Sequence, residues 1–278
     1  MGRIELSRLE DASPFRKVAM GTWKTAKDPS VYGYVEIDLQ PTLDVLPQYC
    51  AKEGLKVTPS HLVGRAAAIC LSKRPEINAM IRGNRIWLRK HVNIFYQVNI
   101  PGEGDDKIKK ATLSGVLIKN TEEMNAAQIA TALYNKSDDV RKGKDKELKK
   151  NLEVFKALPW WFSRYYLNMA SFLIYGLNWN LKWLGIPEDP FGSVMITNIG
   201  SLGIDIAWAP LCPYTRVPLL LTIGAVQEKP WVVDGQVTVR PILPIAVTFD
   251  HRLIDGIHAS QMASDFKECF KHPEKYLF

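Results

Sequence analysis

A mixed α/β domain, with helices flanking a sheet, is the fold class this sequence predicts. Three observations predict it. Val92 to Ile100 alternates, with Val92, Ile94, Tyr96, Val98 and Ile100 on one face, the period of a half-buried strand. Thr58-Pro59 opens an apolar run through Leu62, Val63, Ala66, Ala67 and Ile69: a hydroxyl cap, then proline in the first helical turn. The final third closes on a strand from Ile242 to Phe249, a turn, and a helix from Ile257 to Phe270. That helix gathers Ala259, Met262, Ala263, Phe266 and Phe270 on one stripe.

The other elements follow in chain order. Ser13-Pro14-Phe15-Arg16-Lys17 opens a short helical segment. Val31 to Leu39 is a strand, its second half alternating apolar and polar residues. Leu43 to Glu53 is helical, with Pro47 limiting its start to that neighbourhood. The helix opened by Thr58 stops before Pro75. Arg85 to Arg89 is a short strand. The second face of the Val92 strand carries Asn93, Phe95, Gln97 and Asn99, so it either lines a groove or is a solvated sheet surface. Ala111 to Ile118 is a strand, and Thr121-Glu122-Glu123 starts a helix reaching Val140. Lys142 to Lys150 is a charged, solvated stretch. Ser193 to Ile199 and Leu219 to Val226 are strands, and Trp231 to Arg240 is a hairpin around Asp234-Gly235.

At 278 residues, with 46% hydrophobic and 23% charged residues, the chain supports one large domain with a substantial core. The net charge of +7 is spread along the chain, which reads as a solvated surface, and no nucleic-acid module is present. None of the four cysteines, Cys50, Cys70, Cys212 and Cys269, forms a Cys-x-x-Cys pair. They read as reduced thiols of a cytoplasmic protein, and no metal-ligand spacing occurs. The N-terminus lacks the apolar run of a secretion signal.

Chemistry concentrates just before the last helix. The strand ends at Phe249, His251 sits in the turn, and Asp255-Gly256 closes it. Imidazole, with an ordinary pKa of about 6.5, takes a proton near neutral pH, and a thiol of pKa about 8.5 is a suitable donor. Asp255 orients the turn through an ion pair, and Gly256 permits a tight approach to the helix. On spacing alone, a helix-start turn with incidental His and Asp is the commoner explanation.

The surrounding blocks shift that balance. Val194-Met195-Ile196-Thr197-Asn198-Ile199-Gly200 resembles the Thr-Ile-Ser/Thr-Asn-x-Gly block of dihydrolipoyl acyltransferases, the cores of 2-oxoacid dehydrogenase complexes. Asp250-His251-Arg252-Leu253-Ile254-Asp255-Gly256 resembles their Asp-His-Arg-x-x-Asp-Gly signature, the His-x-x-x-Asp-Gly motif. Leu221-Thr222-Ile223-Gly224 looks like their Ile-Leu-Gly strand, and His272-Pro273-Glu274-Lys275-Tyr276-Leu277 like their C-terminus. Arg74 to Ala79, Lys90 to Ile94, and Ser13 to Lys17 resemble further blocks, the last shared with chloramphenicol acetyltransferase. The blocks run in family order over nearly the whole chain.

The resemblance implies a chloramphenicol-acetyltransferase-like mixed sheet flanked by helices. It implies a homo-oligomer, a trimer or an assembly of trimers, with an active site at each subunit interface. His251 is implied as base on the thiol of CoA or dihydrolipoamide, and Thr197 as donor to the tetrahedral oxyanion. Asp255 is implied to pair with Arg16, and Asn198 and Gly256 to support the site. Acyl-CoA is the implied substrate, with no metal; use of a lipoyl group stays open.

The sequence departs from the family in three places. The chain starts almost at the catalytic domain, so no lipoyl domain of its own is expected. Asn99 to Lys107 differs from the family's channel segment. Leu158 to Ile186 is extra, inside a helical insertion over residues 144–190, and carries Trp160, Trp161, Phe162, Tyr165, Tyr166, Trp179 and Trp183. Arg164, Asn168, Asn178, Asn180 and Lys182 break it up too often for a membrane span. It is read as a membrane-surface contact, a lid over an acyl chain, or a helical hairpin packed on the body. Two rivals to the stand-alone enzyme remain: a non-catalytic scaffold, and a core that borrows lipoyl domains from another chain.

Overall fold

The computed structural model describes residues 28–82, 85–100, 112–142, 159, 161–177, 179 and 189–278. Strand β1 (Ser30–Asp38) leads to helices α1 (Gln40–Glu53) and α2 (Pro59–Lys73). The hairpin of β2 (Ala79–Arg82) and β3 (Arg85–Leu88) forms its own two-stranded sheet. Strands β4 (Ile94–Ile100) and β5 (Thr112–Ile118) precede α3 (Ala126–Arg141). Helix α4 (Ser163–Ser171) runs into a π-helical turn over Phe172–Gly176. Then come β6 (Val194–Asn198), β7 (Leu219–Ile223), β8 (Gln227–Val233), the long β9 (Gln236–Asp250), α5 (Gly256–Lys271) and α6 (Pro273–Tyr276).

The main sheet has the order β1-β9-β7-β6-β4-β5, with β8 paired to the first half of β9. Strands β4, β6 and β7 are mutually parallel, and the remaining pairs are antiparallel. The central strands are apolar on both faces, and every residue of β7 is buried, as a strand covered on two sides requires. Helices α2, α3 and α5 cover one face. Small residues let α2 lie close: Ala66, Ala67 and Ala68 are fully buried, and a Cβ on Gly64 would strike the Tyr96 hydroxyl. Leu219, Leu221, Ile245 and Phe270 meet in this core, each worth about 1.5–3 kcal/mol of burial. The opposite face is covered in part by Met195, Val217 and Leu220, against Phe95, Phe191, Ala209 and Leu211. Phe95 therefore packs in a second apolar cluster, and the Phe95 face of β4 is not a wholly solvated surface.

Three of the element boundaries that differ from the sequence expectation have a local cause. Helix α1 starts at Gln40, because Pro41 supplies the first turn and Asp38 Oδ1 accepts from Gln40 N at 2.9 Å; Pro47 is carried inside it. Thr121 does not cap the long helix. Its hydroxyl donates to the Val92 carbonyl at 2.8 Å, and the cap is Asn125, which forms a capping box with Gln128. The hairpin strand and the terminal strand are one continuous element, β9, through Pro241 and Pro244. Those prolines fall where β9 exchanges β8 for β1 and β7 as neighbours, so their missing N–H groups interrupt no continuous ladder. The readings for Ser13 to Lys17, Pro101 to Lys107 and residues 143–150 fall outside the described residues.

Candidate active site

The turn that carries His251 is braced from both sides. Asp250, the last residue of β9, is 8% exposed. Its Oδ1 accepts from the Arg252 backbone N–H at 3.0 Å and from Arg252 Nε at 2.9 Å, and Arg252 Nη2 reaches Oδ2 at 2.6 Å. The Asp250 carbonyl accepts from Leu253 N and Ile254 N, both at 3.0 Å. The backbone N–H of His251 donates to the Pro29 carbonyl at 2.9 Å, tying the turn to the start of β1. The His251 ring is exposed, and Phe249 lies beside it at 6.4 Å between centroids. Among the described residues, none hydrogen-bonds the imidazole. The sequence reading quoted Asp250 and Arg252 only as motif letters. Their reciprocal hold on the turn was legible in principle from the Asp-x-Arg spacing.

Asp255 is the N-cap of α5. Its Oδ1 accepts from Ile257 N at 2.9 Å and His258 N at 3.0 Å, while Asp255 N donates to His258 Nδ1 at 3.3 Å. The His258 backbone N–H first, and then the His258 imidazole, the Ile257 backbone N–H and the His251 imidazole, hold the Asp255 carboxyl below its ordinary range, against an opposing effect of desolvation. Asp255 thus fixes where the helix begins after the turn. His258, which completes this cap, was not singled out from the sequence. Arg16, the implied partner of Asp255, lies outside the described residues. Gly256 is the first helical residue, it is not among the glycines with positive φ, and among the described residues a Cβ there would meet nothing within 4 Å. Among those residues, none makes glycine a steric requirement at that position.

Thr197 sits half-buried on β6, on the sheet face away from α5, beside Thr222 in the parallel register. Among the described residues, the buried Thr222 hydroxyl has no hydrogen-bond partner. Asn198 ends the strand. Its Nδ2 donates to Ser60 Oγ at 2.9 Å at the start of α2, and its Oδ1 accepts from Ser201 N at 3.2 Å. Two glycines make the next crossing possible: a Cβ on Gly200 would lie 2.4 Å from the Gly224 carbonyl oxygen, and one on Gly224 would lie 1.8 Å from that of Asp205.

The sheet register does not bring Thr197 and His251 together. Thr197 pairs with Thr222, and Thr222 with Ala246. His251 follows Ala246 by five residues at the far end of β9. At about 3.3 Å per residue that is roughly 16 Å along the strand, plus two strand spacings of about 4.8 Å across the sheet. An almost wholly apolar cavity of about 150 Å³ lies behind the turn, between β1, β9 and α5, lined by Gly33, Val35, Phe249, Ile254, Met262 and Phe266 among others. Among the described residues, no group of three or more His, Cys, Asp or Glu is placed to hold a metal ion.

Comparison with known proteins gives a consistent set. The family model for the 2-oxoacid dehydrogenases acyltransferase (catalytic domain) matches residues 7–150 and 188–278, passing over 151–187. The acetyltransferase component of the pyruvate dehydrogenase complex of Acholeplasma laidlawii is 22% identical over 230 residues, 81% of this chain and 32% of that protein. The chain therefore spans about a third of that relative's length. The cubic core of a pyruvate dehydrogenase complex superposes with a TM-score of 0.64 at 17% identity, covering all of both chains. Dihydrolipoamide acetyltransferase of Azotobacter vinelandii superposes at 0.63 with 18% identity, covering 91% of this chain and 85% of that one. That structure comes from work on the catalytic roles of a serine, a histidine and an asparagine, the asparagine four positions after the histidine.

Proposed function

This chain belongs to the 2-oxoacid dehydrogenase acyltransferase family, and on that premise we propose that it transfers an acyl group to or from CoA at a site built between two copies of itself. The register carries the proposal. One chain presents an exposed, braced imidazole at one end of the sheet and a threonine hydroxyl some strand lengths away, so a second copy has to bring the two together. The spacing from His251 to Asp255 matches the histidine and asparagine studied in the Azotobacter enzyme, which supports giving His251 the reacting proton and Asp255 the turn.

The chemistry follows from these groups. His251 takes the proton of the attacking thiol. The thiolate adds to the thioester carbonyl, and the oxygen that gains charge accepts a hydrogen bond from the Thr197 hydroxyl of the adjacent copy. Collapse breaks the original C–S bond, and the imidazolium returns its proton to the departing thiolate. A placed general base is worth roughly 10²–10⁴-fold and one oxyanion donor about 10²–10³-fold. Neither step uses a metal. CoA is one thiol; the other acceptor is dihydrolipoamide, carried on a lipoyl domain, or a different small molecule.

Self-assembly has a separate support. Val232 and Val237 face each other on the ribbon of β8 and β9, Val239 lies on the same face, and all three are exposed. Such an apolar stripe calls for a covering partner, and trimers are the assembly the family membership favours. The test is thiol release from a panel of acyl-CoAs, acetyl to long-chain, with dihydrolipoamide among the acceptors, for the wild type and His251→Ala. Turnover that disappears in His251→Ala supports the proposal. CoA binding and turnover both absent from the wild type would leave a non-catalytic scaffold.

A further inference from the structure

Helix α4 is amphipathic the wrong way round for a helix that only packs on its own domain. Its inner side is held by polar bonds. Ser171 and Tyr175 are buried, Tyr175 Oη donates to Asp189 Oδ1 at 3.2 Å, and Arg216 Nε donates to Ser171 Oγ at 3.4 Å. The outer side carries the apolar residues. Trp161 is 61% exposed, Tyr165 66%, Met169 52% and Phe172 56%. Their spacing, three or four residues per step, lines them up along one stripe of the helix.

The β2–β3 hairpin adds to this surface. Arg82 Nε donates to the Gly176 carbonyl at 3.1 Å at the end of the π-helical turn, which docks the hairpin beside α4. Every residue of β3 is exposed, Ile86, Trp87 and Leu88 among them, with the Arg82 guanidinium stacked 5.1 Å from the Trp87 ring. Charge on the combined surface has one sign. Arg85, Lys90 and Arg164 are exposed, and residues 79–91 and 159–179 contain no Asp or Glu.

From this juxtaposition we propose that α4 and the β2–β3 hairpin together form a docking surface for an anionic lipid bilayer. Tryptophan, tyrosine and arginine are the side chains that settle at the headgroup level, apolar part inward and polar part in water. Acid-free basic flanks complement a negative lipid surface. A second copy of this chain is the poorer occupant, because a two-fold contact would set the same cations against each other. Nine helical residues at about 1.5 Å each reach roughly 14 Å, so α4 lies in the interface rather than crossing it. The inference is independent of the acyl-transfer reading.

The full chain is tested by flotation with vesicles of phosphatidylcholine alone and of phosphatidylcholine mixed with phosphatidylglycerol. The expected result is flotation with the mixed vesicles only, weakened by added salt. Tyr165→Asp with Phe172→Asp is expected to abolish it with the assembly mass unchanged. Should that pair disturb folding, Arg85→Glu on the exposed hairpin carries the same test and is expected to reduce the floated fraction. The proposal is overturned by a wild type that floats with neither vesicle, by variants that float as the wild type does, or by a fall in assembly mass in the double variant, which would make the surface a subunit contact.

Discussion

Thr197 stands level with Ala246 in the sheet, five residues along β9 from His251. The site proposed between two copies makes a mixing experiment decisive. His251→Ala and Thr197→Ala variants, each impaired alone, are expected to regain activity when unfolded together and reassembled. With random mixing about a quarter of the sites receive both intact residues. Thiol-release assays on the mixed assembly should therefore approach about a quarter of wild-type activity. Recovery no greater than the average of the two separate variants would place both residues in one chain's site.

Asp250 and Arg252 brace the turn that carries His251 unequally. The Asp250 side chain is 11% exposed and that of Arg252 57%. Arg252→Leu leaves a nearly buried carboxylate with, among the described residues, only the residue 252 N–H as partner, whereas Asp250→Asn leaves a guanidinium that water can solvate. The arginine variant is therefore expected to lose more stability at pH 7, about 1–3 kcal/mol against about 1 kcal/mol or less for Asp250→Asn. Urea unfolding of both variants at pH 7 checks the order.

Much of this architecture can be read from local chemistry. Thr58-Pro59 set the start of α2, Asp234-Gly235 set the hairpin turn with both residues at positive φ, and the apolar run at Leu219 set a fully buried strand. What escaped was set by tertiary contacts. Thr121 has the residue type of a cap, but Val92 uses its hydroxyl. Pro241 and Pro244 look like strand breaks until the neighbouring strands are known. The candidate site residues His251, Thr197 and Asp255 were named because linear motifs carry them. The bracing pair Asp250 and Arg252, the orphaned Thr222 hydroxyl and the outward-facing side of α4 depend on which surfaces meet, and periodicity alone does not report that.

The glycines near the site differ in what they tolerate. Gly224→Ala would drive a Cβ to 1.8 Å from the Asp205 carbonyl oxygen, backbone against backbone. It is expected to lower stability by more than about 3 kcal/mol, or to leave the protein insoluble. Gly256→Ala meets open space at an ordinary helical position. It is expected to leave thermal stability unchanged or raise it by about 0.4–1 kcal/mol. If Gly256→Ala nonetheless loses activity, the space beside it belongs to substrate or to the adjoining copy.

The last prediction concerns His61, in the first turn of α2, where its Nδ1 accepts from Thr58 N at 3.0 Å. Burial pushes its pKa down to about 4. The unfolded chain, with a histidine pKa of about 6.5, therefore binds more protons than the folded one between those values. Stability is fully present above about 6.5 and falls as pH drops towards 4, by about 2 kcal/mol at pH 5. His61→Asn can still accept from Thr58 N through its side-chain oxygen but does not titrate, so its loss between pH 7 and pH 5 is expected to be smaller by that amount. Urea midpoints of wild type and variant at the two pH values decide it. Parallel losses in the two proteins would mean that His61 takes up its proton in the folded state as readily as in the unfolded chain. Ser60, next to it, anchors Asn198 at the end of β6. Protonating His61 strains the same helix turn that holds the Thr197 strand, so activity at pH 5, relative to pH 7, should fall less in His61→Asn than in the wild type.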